Sequence, residues 1–204
     1  MSDIGSLMRT APVIPVLIIE ELEHAKPMAE ALVEGGLRVL EVTLRTPCAL
    51  DAIAAMREVE GAIVGAGTVV NTHTLKLAMN AGSEFIVSPG LTETLGRAAI
   101  DVGVPFLPGV ANAGDIMRGM DLGLSHFKFF PAEASGGIKA LKAITGPFGE
   151  ARFCPTGGVT QDSAPDWLAL EPVLCVGGSW IVPKGQLDTN AITRNAKAAS
   201  ALAG

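Results

Sequence analysis

Residues 39–69 read "VLEVTLRTPCALDAIAAMREVEGAIVGAGTV". The first seven, "VLEVTLR" (39–45), are mostly β-branched or aliphatic and suit a buried strand. "CALDAIAAMREV" (48–59) then spaces its apolar residues as a helix does, and "IVGAGTV" (63–69) is a second strand-like run. Two strands joined through a helix by short connections form a parallel pair, because a parallel neighbour needs a long crossover. The same unit recurs in both directions along the chain. Upstream, "PVIPVLII" (12–19) leads into "HAKPMAEALVEGG" (24–36), a helix that Gly35–Gly36 would close. Downstream, strand-like runs "FIVSPG" (85–90), "PFLPGV" (105–110), "HFKFFPA" (126–132), "RFCPTGGV" (152–159) and "VLCVGGSW" (173–180) alternate with helical stretches.

These make eight strand–helix units. The α/β pattern predicts a closed (β/α)8 barrel of the TIM type in preference to an open doubly wound sheet. With repeats of roughly 20 to 25 residues the barrel would be trimmed for that fold. No linker or low-complexity tract interrupts the 204 residues, which predicts a single compact domain over 1–204. Residues 1–11 are expected to form a short helix capping the N-terminal end of the barrel.

Composition narrows the function. The net charge is −6 with no Lys/Arg block, which argues against nucleic-acid binding. The longest apolar run, "VIPVLII" (13–19), is too short to span a bilayer, so no membrane role is expected. Cys48, Cys154 and Cys175 are scattered without a CxxC, which argues against a disulfide framework and a clustered zinc site. Cys154 and Cys175 read as small buried hydrophobes. His24, His73 and His126 stand apart, so neither a metal nor another cofactor is anticipated. Lys26, Lys76, Lys139, Lys142, Lys184 and Lys197 fall on helix surfaces or loops as solvated charges. The start "MSDIGSLMRTAP" carries no secretory pattern, and a cytoplasmic location is expected.

In such a barrel the chemistry sits at the C-terminal ends of the strands. Lys128 lies among Phe127, Phe129, Phe130 and Pro131, where an ammonium ion is costly unless paired or neutralised. Strand alternation puts His126, Lys128 and Phe130 on one face, and likewise Glu41, Thr43 and Arg45. If both faces turn inward, a carboxylate, an amine and a guanidinium meet. Burial and Arg45 would favour a neutral amine, and Glu41 would partly offset them. A neutral lysine can condense with a ketone, and the carboxylate can move the protons. Alternatively the pair only balances two interior charges. The glycine pairs in "PTGG" (155–158) and "VGGS" (176–179) end the seventh and eighth strands, where backbone N–H groups can hold a phosphate; otherwise they make tight turns. Arg45 and Thr68 could grip a carboxylate. "GAGTVV" (65–70) fails as a dinucleotide fingerprint, because Val70 replaces the third glycine. The residues alone leave open a Schiff-base lyase, a phosphosugar isomerase or epimerase, and a non-catalytic sugar-phosphate-binding barrel.

Six windows, "EVTLRT" (41–46), "GAGTV" (65–69), "SPGL" (88–91), "FKFFPAE" (127–133), "RFCPTGG" (152–158) and "CVGGSW" (175–180), are similar in order to the 2-keto-3-deoxy-6-phosphogluconate aldolases. These class I enzymes are also called 4-hydroxy-2-oxoglutarate aldolases. The windows favour the gluconate-type over the galactonate-type relatives. The resemblance implies reversible cleavage of 2-keto-3-deoxy-6-phosphogluconate to pyruvate and glyceraldehyde 3-phosphate without a metal. It makes Lys128 the Schiff-base residue and Glu41 the general acid/base. It gives Arg45 and Thr68 the carboxylate of the pyruvyl half, and Pro89 and Phe130 the shape of the pocket. Thr156, Gly157, Gly158, Gly178 and Ser179 would hold the phosphate, and the assembly would be a homotrimer.

Overall fold

The computed structural model describes residues 3–183 and 185–202; Lys184 and the extreme ends of the expected 1–204 unit and 1–11 cap lie outside them. A short helix, α1 (Ile4–Met8), precedes strand β1 (Val13–Leu17). The remaining strands are β2 (Val39–Thr43), β3 (Ile63–Gly67), β4 (Ile86–Val87), β5 (Phe106–Leu107), β6 (Gly109–Val110), β7 (His126–Phe129), β8 (Arg152–Pro155) and β9 (Val176–Gly178). All are parallel, in two hydrogen-bonded runs, β5-β4-β3-β2-β1-β9 and β6-β7-β8. A bridge between Thr156 and Gly177 joins the runs on one side. On the other, β5 and β6 are one strand position divided at Pro108, so the ring keeps eight staves. The fifth expected strand is therefore split: Pro108 has no N–H for the ladder, although its carbonyl still accepts from the Lys128 N–H at 2.8 Å.

Helices α2 (Ala25–Glu34), α3 (Ala49–Met56), α4 (Thr72–Asn80), α5 (Glu93–Asp101), α6 (Ala113–Asp121), α7 (Gly137–Thr145), α8 (Ala164–Leu168) and α9 (Thr189–Ser200) follow the strands. Several starts are fixed by side-chain caps: Asn71, Thr92, Asn112 and Asp188 each accept a backbone N–H of the first turn. No helix among the described residues is long and apolar enough to cross a membrane.

Strand alternation divides the apolar residues into two packed layers. Leu40, Val42, Val64, Ala66, Phe127, Phe129 and Phe153 face outward and pack with the helices. Ile14, Val39, Phe85, Val87, Leu107, Cys154 and Cys175 face the lumen and join Leu7 and Met8 of α1 in a separate cluster. α1 thus plugs the N-terminal mouth, and the lower lumen is filled with side chains. Above that floor the lumen turns polar, with Glu41, Thr43, Lys128 and Thr156 all buried.

His126 begins β7 close to α1, its Nδ1 3.1 Å from the Ser125 hydroxyl. Burial pushes its imidazole below the ordinary 6.5; Asp3 opposes this, and Arg9 and Arg152 add to it. The unfolded chain therefore takes up this proton first as the pH falls. Native stability is lost between 6.5 and the lowered native value, and none of this effect is present above 6.5. We expect His126→Gln to lose less stability than the parent chain between pH 7.5 and 5, measured as urea midpoints at each pH.

Candidate active site

Strands β2 and β7 stand on opposite sides of the ring, and each turns one ionisable side chain inward. Lys128 Nζ reaches across the lumen to Glu41, 2.9 Å from Oε1 and 3.2 Å from Oε2. The two side chains are only 7% and 3% exposed. The charge that the apolar neighbours of Lys128 made costly is thus paired. The Phe130 ring lies 5.5 Å from Nζ and adds a cation–π contact. Removing either partner of such a pair strands a buried charge, at a cost of about 3–5 kcal/mol.

Strand β3 gives this pair its room. Gly65 and Gly67 both face the lumen at successive levels. A methyl group on Gly67 would collide with the Glu41 carboxylate, and one on Gly65 would collide with the Phe85 ring. "GAG" therefore marks two packing sites, one under the carboxylate and one in the apolar floor. Composition and motif spacing missed Gly67; glycines two apart in a lumen-facing strand were the available signal. Thr43, one level above Glu41, is also buried, and its hydroxyl donates to the Leu17 carbonyl at 2.8 Å.

The remaining anticipated residues ring the mouth of the barrel. Thr68 follows β3 with φ +63°, the one non-glycine positive φ among the described residues. For a β-branched residue this costs roughly 1–3 kcal/mol and persists only where the surroundings hold it. Here hydrogen bonds flank it, from Leu44 N–H to the Gly67 carbonyl at 2.9 Å and from Val69 N–H to the Val87 carbonyl at 3.2 Å. Arg45 is exposed, and no hydrogen bond links it to Thr68 among the described residues. Arg45 and Ser179 instead line a common cleft of about 580 Å³ with Val16, Ile18, His24 and Asp188. Pro89 is half-buried, and its carbonyl lies against Gly109, the register partner of Lys128.

The loops after β8 and β9 adjoin the lysine from the other side. Thr156 N–H donates to the Phe129 carbonyl at 2.9 Å, and its side chain covers Gly177. Gly157 and Gly158 have φ +99° and +84°, and Gly157 packs against Phe130 and Pro131. Gly178 is covered by the Trp180 indole, while Ser179 is exposed. The structure thus sets Lys128 against both Glu41 and Phe130, with Thr156 and Gly157 near Phe129 and Phe130, and spreads Arg45, Thr68, Pro89, Gly178 and Ser179 around the rim.

Two cysteines lie lower in the lumen. A hydrogen bond with Cys154, together with burial, holds the Cys175 thiol well above its ordinary range, so it stays protonated. No group of three or more His, Cys, Asp or Glu side chains placed to hold a metal ion occurs among the described residues.

Comparison with known proteins identifies the family. The family model "KDPG and KHG aldolase" matches residues 4–197. The KHG/KDPG aldolase of Escherichia coli K12 is 55% identical over 195 residues, covering 95% of this chain and 92% of that protein. The crystal structure of the 2-keto-3-deoxy-6-phosphogluconate aldolase of Zymomonas mobilis ZM4 with 3-phosphoglycerate is 61% identical. It matches with a TM-score of 0.97 over 98% of this chain and 96% of that one. The KDPG aldolase of Legionella pneumophila, with pyruvate captured as a covalent carbinolamine, is 44% identical, with a TM-score of 0.95 over 98% and 99% of the two chains. A barrel built around one buried lysine–carboxylate pair and matched end to end in this way places the chain in the KDPG and KHG aldolase family.

Proposed function

We propose that this chain reversibly cleaves 2-keto-3-deoxy-6-phosphogluconate to pyruvate and D-glyceraldehyde 3-phosphate through a Schiff base on Lys128, and that it also cleaves 4-hydroxy-2-oxoglutarate. The observation that carries the reading is the 2.9 Å contact between Lys128 Nζ and Glu41 Oε1 inside the barrel of a family member. The name of the Escherichia coli relative supports both substrates, and the Legionella pneumophila carbinolamine supports covalent capture of a keto acid.

The chemistry follows from the pair. Glu41 accepts a proton from the Lys128 ammonium, and the freed amine attacks the C2 carbonyl. Glu41 returns a proton to the departing hydroxyl, water leaves, and a protonated imine remains. Glu41 then takes the proton of the C4 hydroxyl. The C3–C4 bond breaks, its electron pair enters the imine to give an enamine, and the aldehyde leaves. Protonation of C3 by Glu41 restores the imine, and water hydrolyses it to release pyruvate and regenerate the amine. One carboxylate can serve each transfer because it sits on the nitrogen at which the intermediates form.

Arg45 and Thr68 hold the keto-acid carboxylate, Pro89 and Phe130 shape the pocket, and Thr156, Gly157, Gly158, Gly178 and Ser179 hold the phosphate. The left-handed glycines support this last role, since a loop without Cβ atoms lets an anion approach backbone N–H groups closely. The working form is a cytoplasmic homotrimer.

Pyruvate release from 2-keto-3-deoxy-6-phosphogluconate tests the reading. Lys128→Met is expected to abolish turnover. Glu41→Gln is expected to lower kcat by about 10²- to 10⁴-fold while the protein still binds substrate. A Glu41→Gln protein with unchanged kcat and only a raised KM would point to a binding role and contradict the proposal. Gly67→Ala displaces Glu41 and is expected to lower kcat by about 10²-fold with the fold intact. Gly65→Ala, which meets Phe85 in the floor, is expected to lower the melting temperature more than kcat.

A further inference from the structure

Glu133 lies outside the lumen, three residues beyond Phe130. Its backbone N–H donates to the Gly157 carbonyl at 3.0 Å, alongside the bond from Ala132 N–H to the Thr156 carbonyl at 2.8 Å. Its Cβ and Cγ lie against Gly158, so close that a Cβ on residue 158 would overlap both. Its Oε1 accepts the indole N–H of Trp167 at 3.1 Å. Trp167, on α8, is fully buried and packs on Phe129 with ring centroids 6.3 Å apart. One side chain thus ties the loop after β7 to the loop after β8 and anchors both to the core.

Two consecutive glycines with positive φ have little intrinsic rigidity. Their N–H groups keep one direction only if something outside the pair fixes them. Glu133 is the group that touches both: its main chain holds Gly157, and its methylenes brace Gly158. The carboxylate is turned away to the indole, so the side chain presents hydrocarbon to the glycine turn. We propose that Glu133 is a positioning residue that sets selectivity for the phosphorylated substrate, by holding Gly157–Gly158 in its anion-binding shape. The inference rests on the phosphate-site reading above.

The test compares steady-state kinetics on 2-keto-3-deoxy-6-phosphogluconate and on 4-hydroxy-2-oxoglutarate, which has no phosphate. Glu133→Ala is expected to raise KM for the phosphorylated substrate about tenfold, the equivalent of one lost hydrogen bond, with kcat and the KM for the other substrate within about twofold. Glu133→Gln keeps the length and an oxygen acceptor for Trp167, and is expected to behave as the parent. Trp167→Phe removes the donor together with part of the buried ring and is expected to shift KM selectively in the same direction; it decides the matter if Glu133→Ala does not fold. Equal changes on both substrates, or a Glu133→Gln protein as impaired as Glu133→Ala, would overturn the inference. Ser179→Ala separates the two levels. If it weakens only the phosphorylated substrate and Glu133→Ala does not, Glu133 has no such role. If Ser179→Ala and Glu133→Ala both leave the two substrates indistinguishable, the phosphate site itself is misplaced, and the inference falls with it.

Discussion

An ammonium and a carboxylate meet in the lumen of this barrel, and the design of the molecule follows from making that meeting tolerable. Two charges taken out of water cost several kcal/mol each, and their attraction compensates only when the contact is close. Here the carboxylate uses both oxygens on one nitrogen, 2.9 and 3.2 Å away. The partners come from strands on opposite sides of the ring and lie 87 residues apart in sequence. The contact therefore exists only when the ring has closed in register, with Glu41 level with Gly65 and Lys128 level with Gly109. A slip of β2 or β7 by one residue would turn that strand's charge out into the helix layer and leave the other unpaired.

The space around the pair is organised by depth. Leu7, Met8 and Phe85 close the lumen from below and keep water from that end. Glycines at 65 and 67 leave room for one aromatic ring and one carboxylate on the same wall. Only the rim opens to solvent, where the loops carry a left-handed Thr68, the paired glycines 157 and 158, and the exposed Arg45 and Ser179. A rigid paired centre under a rim of glycine turns and a guanidinium suits a substrate with a ketone beside one anionic end and a second anion at the other. The link from Glu133 to Trp167 shows how the rim borrows rigidity from the core.

Much of this was legible in the chain itself. The alternation of strand and helix runs predicted the barrel. The phase of "HFKFFPA" separated Lys128 from Phe127 and Phe129, and the structure keeps that separation: the lysine faces the lumen and both phenyl rings face the helices. What could not be read depends on register between distant strands. Pro108 splits one stave in two, a result of which ladder positions its neighbours occupy. Gly67 looked like part of a failed nucleotide motif because its partner, Glu41, is on another strand. The strand phases put Lys128 and Glu41 on inward faces, and the structure pairs them, but Arg45, expected to join them, lies exposed at the rim. Glu133 drew no notice, since a glutamate after a strand is ordinarily solvated. Its place against Gly158 and Trp167 depends on two loops meeting in space.

The central claim is that the nitrogen paired with Glu41 is the one that bonds to the substrate. Incubation with pyruvate and sodium borohydride, followed by proteolysis and mass spectrometry, tests it most directly. The account predicts a single reduced pyruvyl adduct on the peptide containing Lys128, and no adduct when pyruvate is left out. An adduct on another lysine, or intact unlabelled protein after full reduction, would contradict it.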